Sequence, residues 1–394
     1  MLSFDKAITL LNANVEGLGT ETIRLEHAAG RFLAEDLHAR SDAPRADVSA
    51  MDGYAVCTRG LAGAPRLRVV GEARPGIPFH AKIAEDEAVR IFTGGALPSG
   101  ADRVIMQEYA RREGEHVGFS DGHGPSPHVR KAGSDFMAGD LLLPSGTRLD
   151  ARALVAAAAA DRGELQVARG PQVAIVATGN ELIAPGEAYK SEAGIPESAS
   201  HGVAALCGAM GANVAERMHA VDDPDEMASI ANRAIDAADC TVVIGGASVG
   251  DYDLARPAFA NSGMELLFSR LAIKPGKPVW LGRIGTKVVL GLPGNPTSAM
   301  VTAQLFLRPL LAKLQGGSTD RELAFMPLPC AAELPAPGDR ETFVRARSTE
   351  KGLVPAGNQA SGAQSPLASS DWLIRRPAGA PASEAGAIVS ALAF

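Results

Sequence analysis

Cys240–Asp253 reads CTVVIGGASVGDYD. A five-residue run of apolar and β-branched residues, the length of a buried strand, breaks directly into a glycine-rich loop that closes on two carboxylates, Asp251 and Asp253. Working outward, Pro171–Gly179 (PQVAIVATG) and Asn213–Val221 (NVAERMHAV) are further runs of this kind, with helical patterns at His201–Met210 and Pro224–Ala238 between them. Apolar runs alternating with helices predict a parallel sheet covered by helices across residues 171–316. Asp222 or Asp223 caps the second helix, with Pro224 at its first position, while Gly208 and Gly211 loosen the end of the first. Beyond Asp253 come Met264–Ile273 (MELLFSRLAI), a hairpin over Pro278–Leu292 turning near Ile284–Thr286, and a long helix from Pro296 to about Leu314.

Three loops follow these runs: Gly245–Asp253, Lys274–Pro278 (KPGKP) and Gly291–Met300 (GLPGNPTSAM). Glycine lets backbone N–H groups approach a ligand, proline fixes loop shape, and lysine adds positive charge, a combination suited to phosphate or another oxyanion. Ligands of open α/β sheets bind at the carboxyl ends of strands, so ATGNEL (Ala177–Leu182), GGASVGDYD and GLPGNP are expected around one crevice. Lys274 and Lys277 are the candidate anion binders; Ser248, Thr297 and Ser298 offer hydroxyls, and the helix beginning near Pro296 offers its N-terminal amides. Asp251 suits a helix cap and Asp253 a Mg²⁺ ligand, while Asn295 is open to the plain reading of an N-cap.

The first 170 residues differ. An amphipathic opening helix (Phe4, Ala7, Ile8, Leu11) precedes short β-like runs such as LRVVGEA and AVRIFTGG, so this part is read as β-rich, with an alanine-rich connecting helix at Ala151–Asp161. SAMDGYAV (Ser49–Val56) and FTGGALPSGADRVIMQEY (Phe92–Tyr109) taken alone read as turns, Asp52–Gly53 being a common hairpin dipeptide. Residues 320–394 carry Pro and Gly clusters and no clear helix, which fits a small β domain with a loop at Pro377–Pro381.

Composition narrows the class. The chain has 394 residues, 46% apolar and 21% charged, enough for several domains. A formal net charge of −7 without a basic tail argues against nucleic acid or anionic lipid as partners. No targeting segment or membrane span is read, the longest uninterrupted apolar run, Ala153–Ala160, being far below the roughly 20 residues a spanning helix needs, and the expected location is cytoplasmic. Cys57, Cys207, Cys240 and Cys330 lack zinc or redox spacing and are read as reduced filler. The eight histidines show no metal pattern, and HExxH, GxSxG and the P-loop are missing.

In order, SAMDGYAV, FTGGALPSGADRVIMQEY, VRKAGSDF (Val129–Phe136), ATGNEL, GGASVGDYD, KPGKP and GLPGNPTSAM resemble the molybdopterin molybdenumtransferase family, called MoeA in bacteria, and RETFVRAR (Arg340–Arg347) and QASGAQSPLASSDWLI (Gln359–Ile374) extend the resemblance into the last segment. It implies a multidomain α/β fold: a two-segment connector (1–43 and 131–170), a β-rich inserted domain (44–130), a three-layer α/β molybdopterin-binding domain (171–317) and a small β-barrel-like C-terminal domain (318–394), assembled as a homodimer. The implied reaction inserts molybdenum from molybdate into adenylylated molybdopterin with Mg²⁺ present, releasing AMP and forming molybdenum cofactor. The implied catalytic positions are Asp52, Thr93, Glu181, Asp253, Lys274 and Lys277, with Glu181 and Asp253 toward the metal. Thr178, Gly179, Gly245, Gly246, Ser248, Gly250, Pro293, Gly294, Asn295, Pro296 and Ser298 are the implied cofactor-binding positions. The molybdopterin adenylyltransferase is an implied partner. Against the family pattern, Asn180 stands where an acid is usual and Ser134 where Glu is usual, and GIPESAS (Gly194–Ser200) puts Glu197, Ser198 and Ala199 where Asp-Ser-Asn is normal. These departures motivate an alternative, a non-catalytic carrier or scaffold for molybdopterin or the finished cofactor. Adenylyl transfer itself is a minor third reading.

Overall fold

The computed structural model describes residues 1–62, 66–246 and 254–394. The chain forms two compact units, one of residues 1–35, 145–151 and 164–394, the other of residues 36–144 and 152–163.

In the first unit a six-stranded sheet runs in the order Asn213–Ala220, Gln172–Thr178, Cys240–Ile244, Lys287–Leu292, Trp280–Ile284, Glu265–Ser269. Its first three pairings are parallel and its last two antiparallel, so the sheet is mixed rather than parallel throughout. The reason lies in the expected hairpin: Ile284 pairs with Lys287 across the two residues Gly285 and Thr286, a link short enough only for an antiparallel return. Side chains alternate across the sheet. Val173, Ile175, Val242 and Ile244 enter the core under the helix Ala199–Ala209 and the helical run Pro296–Leu314, while Ala174, Val176 and Val243 enter the core under Pro224–Ala237 and Ala255–Asn261. Three layers result. Asp223, not Asp222, is the helix cap and accepts the Glu226 N–H at 2.9 Å, with Pro224 at the first position. The long helix from Pro296 to Leu314 is present, with a π-helical segment at Ala303–Leu307.

The opening helix Phe4–Asn14 joins this core through its apolar face. Phe4 meets Phe306 of the long helix edge-on at 5.5 Å and Phe343 of the C-terminal sheet at 5.2 Å. Arg375 covers the Phe4 ring at 5.1 Å and binds Asp5 at 2.8 Å and Glu341. The C-terminal sheet curls through Ile273–Lys274, Glu341–Thr349, Trp372–Arg376, Ile388–Ala393 and Met326–Pro329, with Gly352–Pro355 beside the second of these. Its first strand is the start of the KPGKP loop, so the α/β and β-barrel-like domains are stitched at Lys274. Two short helical turns, Thr319–Glu322 at its start and Ser365–Ala368, interrupt a segment read as helix-free.

In the second unit a six-stranded sheet orders Arg103–Met106, Gly53–Val56, Glu87–Ile91, Leu67–Ala73, His116–Phe119 and Ala110–Glu113. Asp52–Gly53 is therefore not a hairpin turn: Gly53 opens a strand paired on both sides, and a Cβ there would lie 1.9 Å from the Ile105 carbonyl oxygen. Close strand approach, not turn geometry, requires this glycine. Segments flanking the inserted sheet pair in both units, Thr20–Arg24 with Glu164–Ala168 in the first and Leu37–His38 with Leu141–Leu143 in the second, the two-segment connector.

All four cysteines are unpaired, and burial pushes the Cys207 thiol up to about 12, which leaves it unreactive. Among the described residues no helix is long and apolar enough to cross a membrane.

Candidate functional site

At the carboxyl ends of the parallel strands lies a cavity of about 740 Å³. Thr178, Gly179 and Glu181 from one loop, Gly245 and Gly246 from the next, and Pro293, Gly294, Asn295 and Pro296 from the third all line it, so the three strand-end loops do converge. The close fit of these loops explains their glycines. Gly245 has φ +96°, and a Cβ there would lie 2.5 Å from the Thr178 hydroxyl oxygen; Gly179 has φ +141°, with the Glu181 carboxylate 2.5 Å from where its Cβ would be. The N-terminus of the helix Ala199–Ala209 adds Ser198 and Ala199 to the wall.

Three carboxylates line the same cavity: Glu181, Glu197 and Asp222. Glu197 is committed to the fold, accepting the Ser200 N–H at 2.8 Å and facing Arg217 at 3.7 Å. Asp222, expected only as a possible cap, donates its N–H to the Asn180 side-chain oxygen at 2.9 Å. Asn180 thus supplies the acceptor that a carboxylate would supply at that position, without adding a charge. Of the three carboxylates, Glu181 and Asp222 form no ion pair among the described residues. Among the described residues there is no cluster of three or more metal-ligating side chains.

The expected positive charge sits next door. Lys274 lines a second cavity of about 450 Å³ together with Arg345 and Arg376 of the C-terminal sheet. Lys274 pairs in register with Thr342, and Thr342 with Arg376, which sets these three side by side across neighbouring strands. Arg345 is 2% exposed and donates to the carbonyls of Asn358 (2.9 Å), Ala363 (3.1 Å) and Ala360 (3.2 Å), with no carboxylate partner among the described residues. Arg376 is also buried; it donates to the Ser383 hydroxyl and the Pro381 carbonyl, and its Nε has no partner among the described residues. Among the described residues, three cationic side chains against one carboxylate, Glu333, line this cavity, a balance that favours an anion. The two cavities share their walls: Pro278, Pro296, Gly362 and Gln364 line the first, and Pro275, Thr297, Ser361 and Gln359, from the same loops, line the second. Asn295 donates to the Ser361 hydroxyl at 3.3 Å and Thr297 to the Ala363 carbonyl at 2.9 Å, holding the C-terminal segment to the partition; Asn295 makes no side-chain cap bond.

Of the remaining expected residues, Lys277 is exposed and its carbonyl accepts the Leu271 N–H at 2.9 Å. Ser298 is 4% exposed, with its carbonyl accepting the Thr302 hydroxyl at 2.7 Å. Ser248, Gly250, Asp251 and Asp253 lie outside the described residues. In the second unit, Asp52 and Thr93 meet: the Asp52 carboxylate accepts the Thr93 N–H at 2.7 Å and its hydroxyl at 2.8 Å, and these bonds, then Arg90, hold it below the usual carboxylate range.

Residues 2–160 match the family described as MoeA N-terminal region (domain I and II), residues 174–313 the probable molybdopterin binding domain, and residues 327–394 the MoeA C-terminal region (domain IV). The molybdopterin molybdenumtransferase of Synechococcus elongatus is 33% identical over 393 residues, 96% of each chain. The chain belongs to the molybdopterin molybdenumtransferase (MoeA) family. The Nostoc sp. protein of the same name is 34% identical over 333 residues, 82% of this chain and 76% of the relative. A molybdopterin biosynthesis MoeA crystal structure from Pyrococcus horikoshii superposes with a TM-score of 0.82 at 25% identity, covering 100% of both chains. Asp222, Arg345, Arg376 and Gln364 line the two cavities and are not named as site residues from the sequence, where Asp222 is read only as a possible helix cap. The available signal was the charge of Arg345 inside the apolar strand run Phe343–Ala346.

Proposed function

We propose that this MoeA-family chain inserts molybdenum into adenylylated molybdopterin. Its family membership puts it in molybdenum cofactor biosynthesis, as a transferase with a pterin substrate. The pair of adjoining cavities carries the finer reading. The larger, glycine-walled cavity, with two helix N-termini and the oxygen donors Glu181 and Asp222, suits a pterin phosphate; the smaller, with Lys274, Arg345 and Arg376, suits molybdate.

Mg²⁺ binds through one or two carboxylates plus substrate phosphates and keeps several waters, so the oxygen donors present fit it. Glu181 and Asp222 would hold it, with Asp253 as a further candidate. Bound there, it would offset the charge of a phosphoanhydride. The chain's own residues orient the reactants: strand-end amides hold phosphate, the glycine walls permit close approach, and the cationic cavity sets the oxyanion against the shared partition. Asp52 and Thr93 keep in this reading the catalytic roles that the family resemblance implies. The four-domain division at 43/44, 130/131, 170/171 and 317/318, a homodimer, and delivery of substrate by the adenylyltransferase belong to the same proposal.

Purified protein given adenylylated molybdopterin, Mg²⁺ and molybdate should release AMP, and omission of molybdate should suppress the release. Tight pterin binding with no molybdate-dependent AMP would instead establish the carrier, the reading that Ala199, a methyl in the cavity wall where the family has an amide, favours.

A further inference from the structure

Asp52 commits one carboxylate oxygen to its own domain and keeps the other free. Oδ1 accepts both Thr93 bonds, and among the described residues Oδ2 accepts none. The two peptides that follow Asp52 are pinned as well. The Asp52 carbonyl accepts the Gln107 N–H at 2.9 Å, and the Gly53 carbonyl accepts Arg90 Nη1 at 3.0 Å. Arg90 lies directly opposite Tyr54 in the strand pair, its guanidinium 5.2 Å from the Tyr54 ring centre and 4.8 Å from that of Phe92, while Nη2 donates to Gln107 Oε1 at 2.6 Å.

One guanidinium therefore fastens Gly53, which follows Asp52, the side chain of Gln107, whose N–H binds the Asp52 carbonyl, and the rings of Tyr54 and Phe92. A planar fork that stacks on rings while two of its N–H groups diverge is a task for arginine and not for lysine. No carboxylate forms an ion pair with Arg90 among the described residues, and its positive charge acts on the Asp52 carboxylate after the two Thr93 bonds. The Thr93 bonds alone would let the carboxylate turn with its loop; the Arg90 fork removes that freedom.

We propose that Arg90 is a positioning residue for the transfer reaction, holding Asp52 so that Oδ2 stays available to the bound reactants. This rests on the reading above that Asp52 serves the site.

The test compares wild type, Arg90→Met, Arg90→Lys, Asp52→Asn and the Arg90→Met/Asp52→Asn pair for molybdate-dependent AMP release, at a temperature where circular dichroism shows all five folded. Methionine keeps an unbranched stem against the rings and removes the fork. Arg90→Met should lower kcat roughly ten- to a hundredfold with KM for the pterin changed by less than about twofold. Arg90→Lys should recover only part of the rate, and the pair should be no slower than Asp52→Asn alone, because both changes remove one function. A full rate in Arg90→Met, or a pair whose loss is the product of the single losses, overturns the role of Arg90 while leaving that of Asp52 standing. A full rate in Asp52→Asn overturns the reading of Asp52 itself, and the positioning role with it.

Discussion

Lys274 is the residue at which charge and fold separate most cleanly. It is exposed, forms no ion pair among the described residues, and pairs with Thr342 through its backbone, so its ammonium is not needed to hold the sheet. Lys274→Ala should therefore change unfolding free energy by no more than about 0.5 kcal/mol while weakening molybdate binding roughly tenfold or more. Denaturant melts beside equilibrium binding separate the two, and unchanged affinity would take Lys274 out of the site. Residue types in loops were legible in the sequence because glycine, proline and lysine each have a local physical meaning. The loops of Gly179 and Gly245 could be named from their place at strand ends, Glu181 was implied by the family resemblance, and all three residues line the cavity. Arg345 and Arg376 could not be placed that way, since their significance is burial without a carboxylate, a property only tertiary contacts create.

Between the helix Pro224–Ala237 and the strand Cys240–Ile244, Asp239 sets the register of three strands. It accepts two bonds from Arg169 (2.8 and 3.0 Å) and one from the Gln172 N–H (2.9 Å), and its carbonyl accepts the Val288 N–H at 3.0 Å. Burial on its own would raise the Asp239 carboxyl, but the Arg169 and Gln172 bonds outweigh it and hold it below the usual carboxylate range. A lowered folded value means the stabilisation is fully present above the pH at which a free aspartate titrates and is lost as pH falls through the folded value. Asp239→Ala should cost about 1–3 kcal/mol near neutrality and flatten the acid side of the stability curve, as urea melts at several pH values would register. A variant as stable and as acid-sensitive as wild type would contradict this. At this scale the helices and strands of residues 171–316 were readable from periodicity, and the mixed sheet was not inferred although its hairpin was: two residues between Ile284 and Lys287 already dictate an antiparallel return. The Asp52–Gly53 turn failed for a different reason, because a dipeptide that favours tight turns also suits a strand start where a neighbouring carbonyl leaves no room for Cβ.

For the whole molecule, the sequence implied one cationic, glycine-walled pocket, and the structure divides its chemistry in two. Among the described residues, carboxylates and glycines, with no lysine or arginine, line the cavity above the α/β sheet; Lys274, Arg345 and Arg376, against the one carboxylate Glu333, line the one against the C-terminal sheet; three loops form the partition. Loop composition carries no information on which side of a shared wall each residue faces, which is why the division was not legible. It also gives the account its sharpest consequence, since reactant of one kind belongs on each side. Tungstate, a heavier analogue of molybdate, soaked into crystals and located by its anomalous scattering, tests this directly. The account predicts a peak in the cavity bounded by Lys274, Arg345 and Arg376, absent in Lys274→Ala crystals; a peak only among Glu181, Gly245 and Asp222, with the cationic cavity empty, would contradict it.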